Sequence, residues 1–265
     1  MLLKTGIGVL FFSSLLVAKV SVDYSVSFVG MSMDYKEYDE GVLLDSESSS
    51  YSDLIGTELK YKYKIQDEGS SDYNDIVFTV MALYGNTQYT GSYIDSNLGY
   101  SSLASTTSNT IYDFTLEFAH IYQQTAYYKV VVSLGFGYRF WRRALSAQQI
   151  EDYTWYSIRP SVAFSYDYKN LNISPGFEYQ YGIRPRMYAS GFNEAFKLGA
   201  ANIMEFSLPV EYTINQHFSL YGSYIYQYQK IRESAVVYDS SGIGYLEPQS
   251  KAYNEYIKFG IVFKY

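Results

Sequence analysis

Leu59-Lys60-Tyr61-Lys62-Tyr63-Lys64-Ile65 is the segment that decides the fold of this 265-residue chain. Its odd positions are apolar or aromatic, and its even positions are all lysine. Successive side chains of a β-strand point to opposite faces, so a strand here has one apolar face and one cationic face. A helix would scatter the lysines around its circumference. The segment is therefore predicted to be a strand.

The same alternation recurs along the chain and predicts ten strands. Apolar and aromatic residues occupy every second position of each segment, and small, polar or charged residues lie between them. The other nine segments are 22–35, 73–88, 111–122, 127–142, 155–168, 171–183, 204–214, 217–231 and 253–265.

The lengths of the connections alternate as well. Short links are expected near 67–72, 124–125, 169–170 and 215–216, and long links rich in Ser, Asp, Gly and Tyr near 37–51, 89–108, 143–152, 185–201 and 232–250. Short turns at one end and long loops at the other are typical of bacterial outer-membrane barrels. The predicted fold class is therefore all-β, a ten-stranded antiparallel transmembrane β-barrel with meander topology. The alternative is a soluble β-sandwich or lipocalin-like barrel, whose apolar face points inward.

Composition agrees with a membrane barrel. Aromatic residues make up 19 % of the chain, with 33 Tyr, and the mean hydropathy of −0.16 is too polar for a helical membrane protein. The absence of Cys excludes a disulfide-stapled domain and a thiolate metal site. A formal charge of −7 argues against nucleic acid as a partner.

The N-terminus has the pattern of an export signal. Lys4 precedes an apolar run over 7–18, which ends in a small residue before Lys19. The run is too short to span about 30 Å of hydrocarbon comfortably as an anchor. We expect a signal peptide at 1–18 and an outer-membrane β-barrel domain at 19–265. The expected location is the outer membrane of a Gram-negative bacterium, with the long loops extracellular.

The polar face of the strands would line the lumen with charges of both signs. Because ten strands enclose little more than their own side chains can fill, we expect a packed, ion-paired interior. The alternative is a small solute or ion channel, which the lysine row of 59–65 favours. The predicted lumen charges are Lys60, Lys62, Lys64, Asp75, Asp113, Glu117, Lys129, Arg139, Arg159, Asp167, Glu178, Arg184, Glu205, Glu211, Lys258 and Lys264.

Catalytic residues are not indicated by the sequence. Both histidines, His120 and His217, fall near short turns, where a structural role is favoured over proton transfer. No predicted long loop contains His or Cys, so nucleophilic chemistry at the outer face has no base. The loops carry many carboxylates, but their spacing singles out no acid–base pair and no calcium loop. We expect no catalytic residue, no metal and no cofactor.

One rim segment points to a ligand. Tyr138-Arg139-Phe140-Trp141-Arg142-Arg143 ends a strand at its long-loop side. Arg142 shares the lipid-facing parity of Tyr138, and a guanidinium there suits the phosphates of lipopolysaccharide. Tyr138 and Arg142 are therefore the candidate lipopolysaccharide-binding residues. The alternative is that these rim residues only extend to the membrane interface, without a specific ligand.

The ten-crossing plan, the segments 111–142 and 155–184 and the ending 253–265 resemble the omptin family of surface proteases. The resemblance implies a ten-stranded outer-membrane barrel, an Asp–His pair opposite an Asp pair on the extracellular rim, and lipopolysaccharide bound by rim residues in places similar to Tyr138 and Arg142. The segment 184–188, which would supply the His, has none, and Asp95 is the only acidic residue in the loop that would carry the Asp pair. The C-terminal strand ending at Tyr265 also resembles the signal that the barrel-assembly machinery recognises.

The expected function is therefore non-enzymatic. We expect a structural or adhesin-like surface protein whose loops contact host surfaces, matrix or neighbouring lipid and lipopolysaccharide. Tyr and Ser suit such adaptable contact surfaces. A divergent omptin-like surface protease and a small channel are the alternatives.

Overall fold

Ten long antiparallel strands make up most of the part of the chain that the structure describes. The computed structural model describes residues 18–92, 99–239 and 241–265. Within these ranges, no helix is long and apolar enough to cross a bilayer. The predicted signal peptide at 1–18 lies outside the described residues except for Ala18, at which β1 begins.

We number the long strands β1 to β10 in chain order and count the two pieces on either side of Pro175 as one strand. Three further strands of two residues each, Phe196–Lys197, Val237–Tyr238 and Gly244–Tyr245, lie in the outer connections. The long strands are β1 (Ala18–Asp39), β2 (Val42–Asp67), β3 (Tyr73–Gly91), β4 (Leu103–Gln123), β5 (Tyr128–Ala144), β6 (Ile150–Tyr168), β7 (Leu171–Ile173 and Gly176–Ala189), β8 (Ala201–Thr213), β9 (Phe218–Ile231) and β10 (Gln249–Lys264).

The ring of strands is closed. Each strand pairs with the next along the chain, and β1 pairs with β10 in a register that places Val26 opposite Ile261. On its other side, Val26 of β1 faces Leu59 of β2, in the segment with which the sequence analysis began. The all-β, ten-stranded antiparallel meander is confirmed.

Apolar side chains cover the middle of the outer wall. Phe28, Phe136, Phe164, Phe206 and Phe259 are each between 48 % and 65 % exposed. An apolar surface that continues around the whole wall needs hydrocarbon as its surroundings. This orientation excludes the soluble barrel, in which the same residues would point inward. Other members of the belt are Val26, Leu59, Phe78, Leu116, Phe118, Leu134, Ile158, Leu208, Leu220 and Ile261.

The polarity of the two faces is reversed at the outer end. Phe28 of β1 points outward, whereas Met31 and Met33, further along the same strand, are buried inside the ring. In the same way, Ile158 of β6 is exposed on the wall and Trp155 is 1 % exposed in the interior. Beyond the bilayer both faces of a strand meet water unless one is covered, so here the apolar side chains turn inward.

The outer half of the interior is therefore an apolar core. This is a correction to the expected ion-paired interior, because an apolar layer lies beyond the ion pairs of the inner half. Inward positions carry charges within the membrane belt, whereas the inward positions of the outer strand ends carry mostly apolar side chains. Core members include Val29, Met31, Met33, Leu54, Leu83, Ile111, Trp141, Tyr153, Trp155, Met187, Ile203, Ile225 and Ile231.

The strands also extend further outward than predicted. β1 and β2 meet at a turn made by Glu40 and Gly41, with φ of 47° and 87°, so the predicted long loop at 37–51 is mostly strand. Asn, Gly and other residues that tolerate positive φ suit such two-residue hairpins. Polar residues such as Thr106 and Thr107, in the predicted link 89–108, pair as strand without hydrophobic alternation, which is why the sequence pattern missed them.

Bulges change the facing of side chains in two strands. In β2 the pairing with β3 skips from Ser48 to Leu54, and in β7 the register shifts beside Arg184, whose φ is 51°. Arg184 is consequently exposed, and Met187 enters the core. The prediction of Arg184 as a lumen charge is wrong, because period-two counting fails across a bulge.

Candidate functional site

A buried arginine closes the outer end of the barrel. The guanidinium of Arg143 donates hydrogen bonds to Glu37 at 2.7 Å, to Glu47 at 2.7 Å and to Glu151 at 2.8 Å. The rings of Tyr35 and Tyr153 lie with their centroids 4.6 and 5.9 Å from its central carbon. Its side chain is 1 % exposed. Strands β1, β2, β5 and β6 are thus tied to one cation; we call Arg143 and the acids around it the Arg143 cluster.

Two more carboxyl groups complete the Arg143 cluster. Glu247, from the connection before β10, hydrogen-bonds with the hydroxyl of Tyr153, and Asp45 accepts a hydrogen bond from Tyr89 at 3.2 Å. Five carboxyl groups therefore surround one cation. Burial raises the pKa of Glu151 and raises that of Glu247 well above its usual range. Burial and the neighbouring Glu37 raise the pKa of Asp45 to about 8.

The Arg143 cluster lies outside the membrane belt. The paired tyrosines Tyr138 and Tyr156 mark the upper edge of the belt on the wall, with ring centroids 5.2 Å apart. Arg143 is five residues further along β5, which is about 16 Å along a strand. Sequence reasoning missed it, although it shares the inward parity of Arg139 and Trp141.

The predicted rim residues lie on the outer wall. Arg142 points away from the core and makes a bidentate ion pair with Asp152, with both N–O distances 2.7 Å. Tyr138 lies on the same face, below Arg142. The structure brings the two residues to one side of the rim, and it gives Arg142 a partner that the sequence did not indicate.

A second cationic feature crosses three neighbouring strands on the outer wall. Lys251 of β10 is the direct cross-strand partner of Lys230 on β9 and of Lys36 on β1. All three occupy outward positions, directly beyond the row that contains Tyr228 and Tyr253. Lys36 pairs with Asp34 at 2.8 Å. Among the described residues, Lys230 and Lys251 form no ion pair. We call these three residues the lysine row; only strand register reveals it.

The lumen charges of the inner half form close pairs. Lys62 lies 2.7 Å from Asp23. Arg159 lies 3.0 Å from Asp113, and Arg139 lies 3.6 Å from it. The other pairs, each with an N–O distance of 2.5 Å, are Lys129–Asp167, Lys258–Glu58 and Lys264–Glu211.

Some predicted lumen residues lack such a pair among the described residues. Lys64 lies 3.7 Å from the ring centroid of Tyr73, and Lys60 lies 5.9 Å from that of Tyr221. Lys60 also lines a cavity of about 240 Å³ below the apolar core. Of the remaining predicted residues, Glu117, Glu178 and Glu205 line the same cavity, and Asp75 is the cross-strand partner of Lys64.

The histidines lie at the inner end. His120 hydrogen-bonds with Asn74 at 2.8 Å, and His217 lies in the turn between β8 and β9. Asp95, which the resemblance singled out, lies outside the described residues. Within the described ranges, no group of three or more His, Cys, Asp and Glu side chains is arranged to hold a metal ion.

Comparison with known proteins supports the fold. No family model and no curated protein matches this chain. The chain is similar to the outer-membrane protease OmpT from Escherichia coli, with a TM-score of 0.60 and 10 % identity, over 93 % of this chain and 96 % of that chain. The barrel is omptin-like in fold. At 10 % identity the likeness concerns the fold and not the chemistry, and at that level the prediction of an omptin-like ten-stranded barrel is confirmed.

Other solved barrels are less similar. The translocator domain of the autotransporter NalP from Neisseria meningitidis has a TM-score of 0.43 at 7 % identity, over 92 % of this chain and 88 % of that chain. The outer membrane protein OprG from Pseudomonas aeruginosa has a TM-score of 0.38 at 11 % identity, over 93 % of this chain and 95 % of that chain. Neither value is high enough to support an argument about function.

Proposed function

We propose that this chain is a non-enzymatic β-barrel of the Gram-negative outer membrane, closed at its outer end, with a structural or adhesin-like role at the cell surface. The observation that carries the proposal is the apolar core beneath the Arg143 cluster. Trp155 and Met31 are 1 % and 0 % exposed there, so the described interior leaves no continuous water path. A channel needs such a path, so a barrel closed at its outer end does not conduct and its role at the cell surface falls to its outer face and tip.

The outer tip supports a contact role. The short hairpin of Val237–Tyr238 and Gly244–Tyr245 carries apolar side chains that face solvent. Tyr238 is 68 % exposed and Ile243 is 56 % exposed. Exposed apolar groups clustered at one tip are typical of a surface that binds another molecule. Tyrosine supplies contact area at a low entropic cost.

Contact with lipopolysaccharide is part of the same proposal. The lysine row lies just beyond the wall tyrosines, at the depth where headgroup phosphates are expected. Arg142 lies at a comparable height on the opposite side of the rim, and its bidentate pairing with Asp152 leaves it fewer donors for a phosphate. The lysine row is therefore the stronger candidate for contact with phosphate.

Recordings in planar bilayers test the closed barrel. The purified protein is expected to insert without discrete conductance steps, while a porin measured in parallel conducts. Steps in the recordings would refute the closed barrel and support the channel. A peptide-library cleavage assay on the same refolded protein tests the protease alternative, and reproducible cleavage would refute the non-enzymatic role.

The contact role is tested with cells that carry the protein in their outer membrane. Such cells are expected to adhere to surfaces coated with laminin, collagen or fibronectin better than cells without it. Tyr238→Ser combined with Ile243→Ser should reduce adhesion at equal surface expression. Tyr127→Ser, which changes an exposed tyrosine of an inner turn, serves as the control. Equal adhesion with and without the protein on all three coatings would contradict the adhesin-like role.

A further inference from the structure

Two carboxylates lie side by side in the lumen without a cation. Glu178 of β7 and Glu205 of β8 are direct cross-strand partners, and both line the cavity below the apolar core. Like charges at directly opposed positions destabilise a sheet. Among the described residues, neither carboxylate lies within 4.0 Å of a lysine or arginine nitrogen. Of the cations that line the cavity, Arg159 and Arg139 pair with Asp113, and Lys60 lies 5.9 Å from the ring centroid of Tyr221.

Beside this pair lies an acceptor without a donor, the carbonyl oxygen of Gln180, whereas Glu205 accepts a hydrogen bond from Gln227 at 3.0 Å. Gln180 is 2 % exposed and lines the same cavity. Its amide nitrogen donates to Glu178 at 2.9 Å, while its carbonyl oxygen Oε1 has no hydrogen-bond partner among the described residues. Buried polar atoms in native proteins nearly always have a partner. The unpartnered Oε1 therefore leaves an acceptor for a donor that enters the cavity.

The net charge of the cavity wall also favours a cationic ligand. Five carboxylates and four basic side chains line it, so the wall carries one net negative charge when all are ionised. Lys258 neutralises Glu58 at 2.5 Å, and Glu178 and Glu205 stay directly opposed without an ion pair among the described residues. A volume of about 240 Å³ exceeds the share of several water molecules, at about 30 Å³ each, so a small organic molecule fits.

The cavity is reached from the inner end of the barrel. The side chains of Lys62 and Asp23, nearer that end, are 36 % and 19 % exposed, whereas those of the outer core are almost fully buried. A ligand would therefore enter from the side of the short turns. This route does not need the outer end to open.

We propose that this cavity binds a small primary amine. A primary ammonium group has three N–H donors and no acceptor, which matches the carboxylates of Glu178 and Glu205 and the carbonyl oxygen of Gln180. The positive charge of the ammonium group also balances the net negative charge of the cavity wall. Hydrogen bonds between charged groups and such acceptors are the strong class in proteins. The inference goes beyond the proposed surface role, because it assigns a ligand to the lumen.

The test uses the purified barrel in a zwitterionic detergent with ethanolamine hydrochloride as the probe. Saturable binding at a single site is measured by nuclear magnetic resonance with labelled ethanolamine, at an ionic strength held constant with NaCl. Glu178→Gln combined with Glu205→Gln is expected to abolish binding. Gln180→Leu should weaken binding about tenfold, the order expected when one hydrogen bond to a charged group is lost. Circular dichroism confirms that each variant keeps its strands.

Two controls separate this site from general charge effects. Glu211→Gln alters a different lumen carboxylate, which pairs with Lys264 at 2.5 Å, and should leave binding unchanged. Choline carries the same charge but no N–H donor, and it should bind at least tenfold more weakly than ethanolamine. The inference is overturned if ethanolamine shows no saturable binding, as expected when the two carboxylates merely share a proton. It is also overturned if choline binds as tightly as ethanolamine. The same holds if the protein with both Glu178→Gln and Glu205→Gln binds ethanolamine as tightly as the wild-type protein.

Discussion

Replacing Arg143 by methionine tests whether the Arg143 cluster holds the outer end together. Methionine keeps much of the length of the side chain and removes the guanidinium that contacts Glu37, Glu47 and Glu151. These carboxylates would then lie buried without a cation. We expect Arg143→Met to lower the free energy of unfolding markedly while leaving the membrane belt intact.

The size of the effect follows from burial. Removing one partner of a buried, hydrogen-bonded ion pair costs about 3–5 kcal/mol, because the remaining charge is uncompensated. The adjacent residue supplies a matched control. Arg142 makes an equally short pair with Asp152, but its side chain is 49 % exposed. Exposed pairs contribute about 0.2–1 kcal/mol, so Arg142→Met should change little.

The assay is urea unfolding in detergent micelles at pH 7.5, followed by circular dichroism and by the shift in gel mobility between folded and unfolded barrel. A loss for Arg143→Met that falls within 1 kcal/mol of the loss for Arg142→Met would refute the reasoning. The loss should also shrink at pH 5, where the carboxyl groups of the cluster are protonated more readily and a buried cation is needed less.

The remaining predictions concern pH, packing and lipid. Burial raises the pKa of Asp45 to about 8, so the folded protein keeps a proton on this carboxyl group that the unfolded chain has already released. The stability of the wild-type protein should therefore fall as the pH rises from about 4 to about 8. Urea midpoints measured across that pH range test this prediction. Gly56→Ala places a Cβ 1.8 Å from the carbonyl oxygen of Ala82 and should cost about 1–3 kcal/mol in the same assay, whereas Gly222→Ala, with its nearest neighbour at 3.9 Å, should be tolerated. Lys251→Gln removes repulsion within the lysine row, so it should stabilise the barrel in lipid-free micelles by up to about 1 kcal/mol. The same substitution should lower the affinity for diphosphoryl lipid A about fivefold, as measured by native mass spectrometry. Lys197→Gln should change neither the stability nor the affinity for lipid A. Equal effects of the two substitutions would argue against contact between the lysine row and lipid phosphates.

Part of the candidate site could be predicted from parity alone. The inward set of β5 contains Arg139, Trp141 and Arg143, so parity predicts Arg139 as a lumen charge and places Arg143 on the same face, opposite to that of Arg142. Parity does not reveal which strands lie opposite each other. Two of the carboxylates that bind Arg143, those of Glu37 and Glu47, are about a hundred residues away in the chain, so no local pattern could associate them with it.

Bulges limit the same reasoning. Period-two counting assigns the facing of every residue as long as each strand pairs without insertions. The insertion in β7 exposes Arg184, and the one in β2 separates Ser48 from Leu54. Such irregularities depend on how the partner strand pairs and on close approaches such as that of Gly85 to Asp53, which are not local properties of the sequence.

The amino-acid sequence by itself determined the number of membrane strands, their antiparallel order and the face that meets hydrocarbon, because each strand alternates in polarity over its own length and needs no partner to do so. Tertiary structure alone decided that apolar side chains fill the outer half of the barrel and that Arg143 binds carboxylates from several strands. It also decided that Glu178 faces Glu205. Those features depend on the register between strands and on closure of the ring. Closure brings residues distant in the chain into an interior where burial, rather than local pattern, sets the energy of each charge.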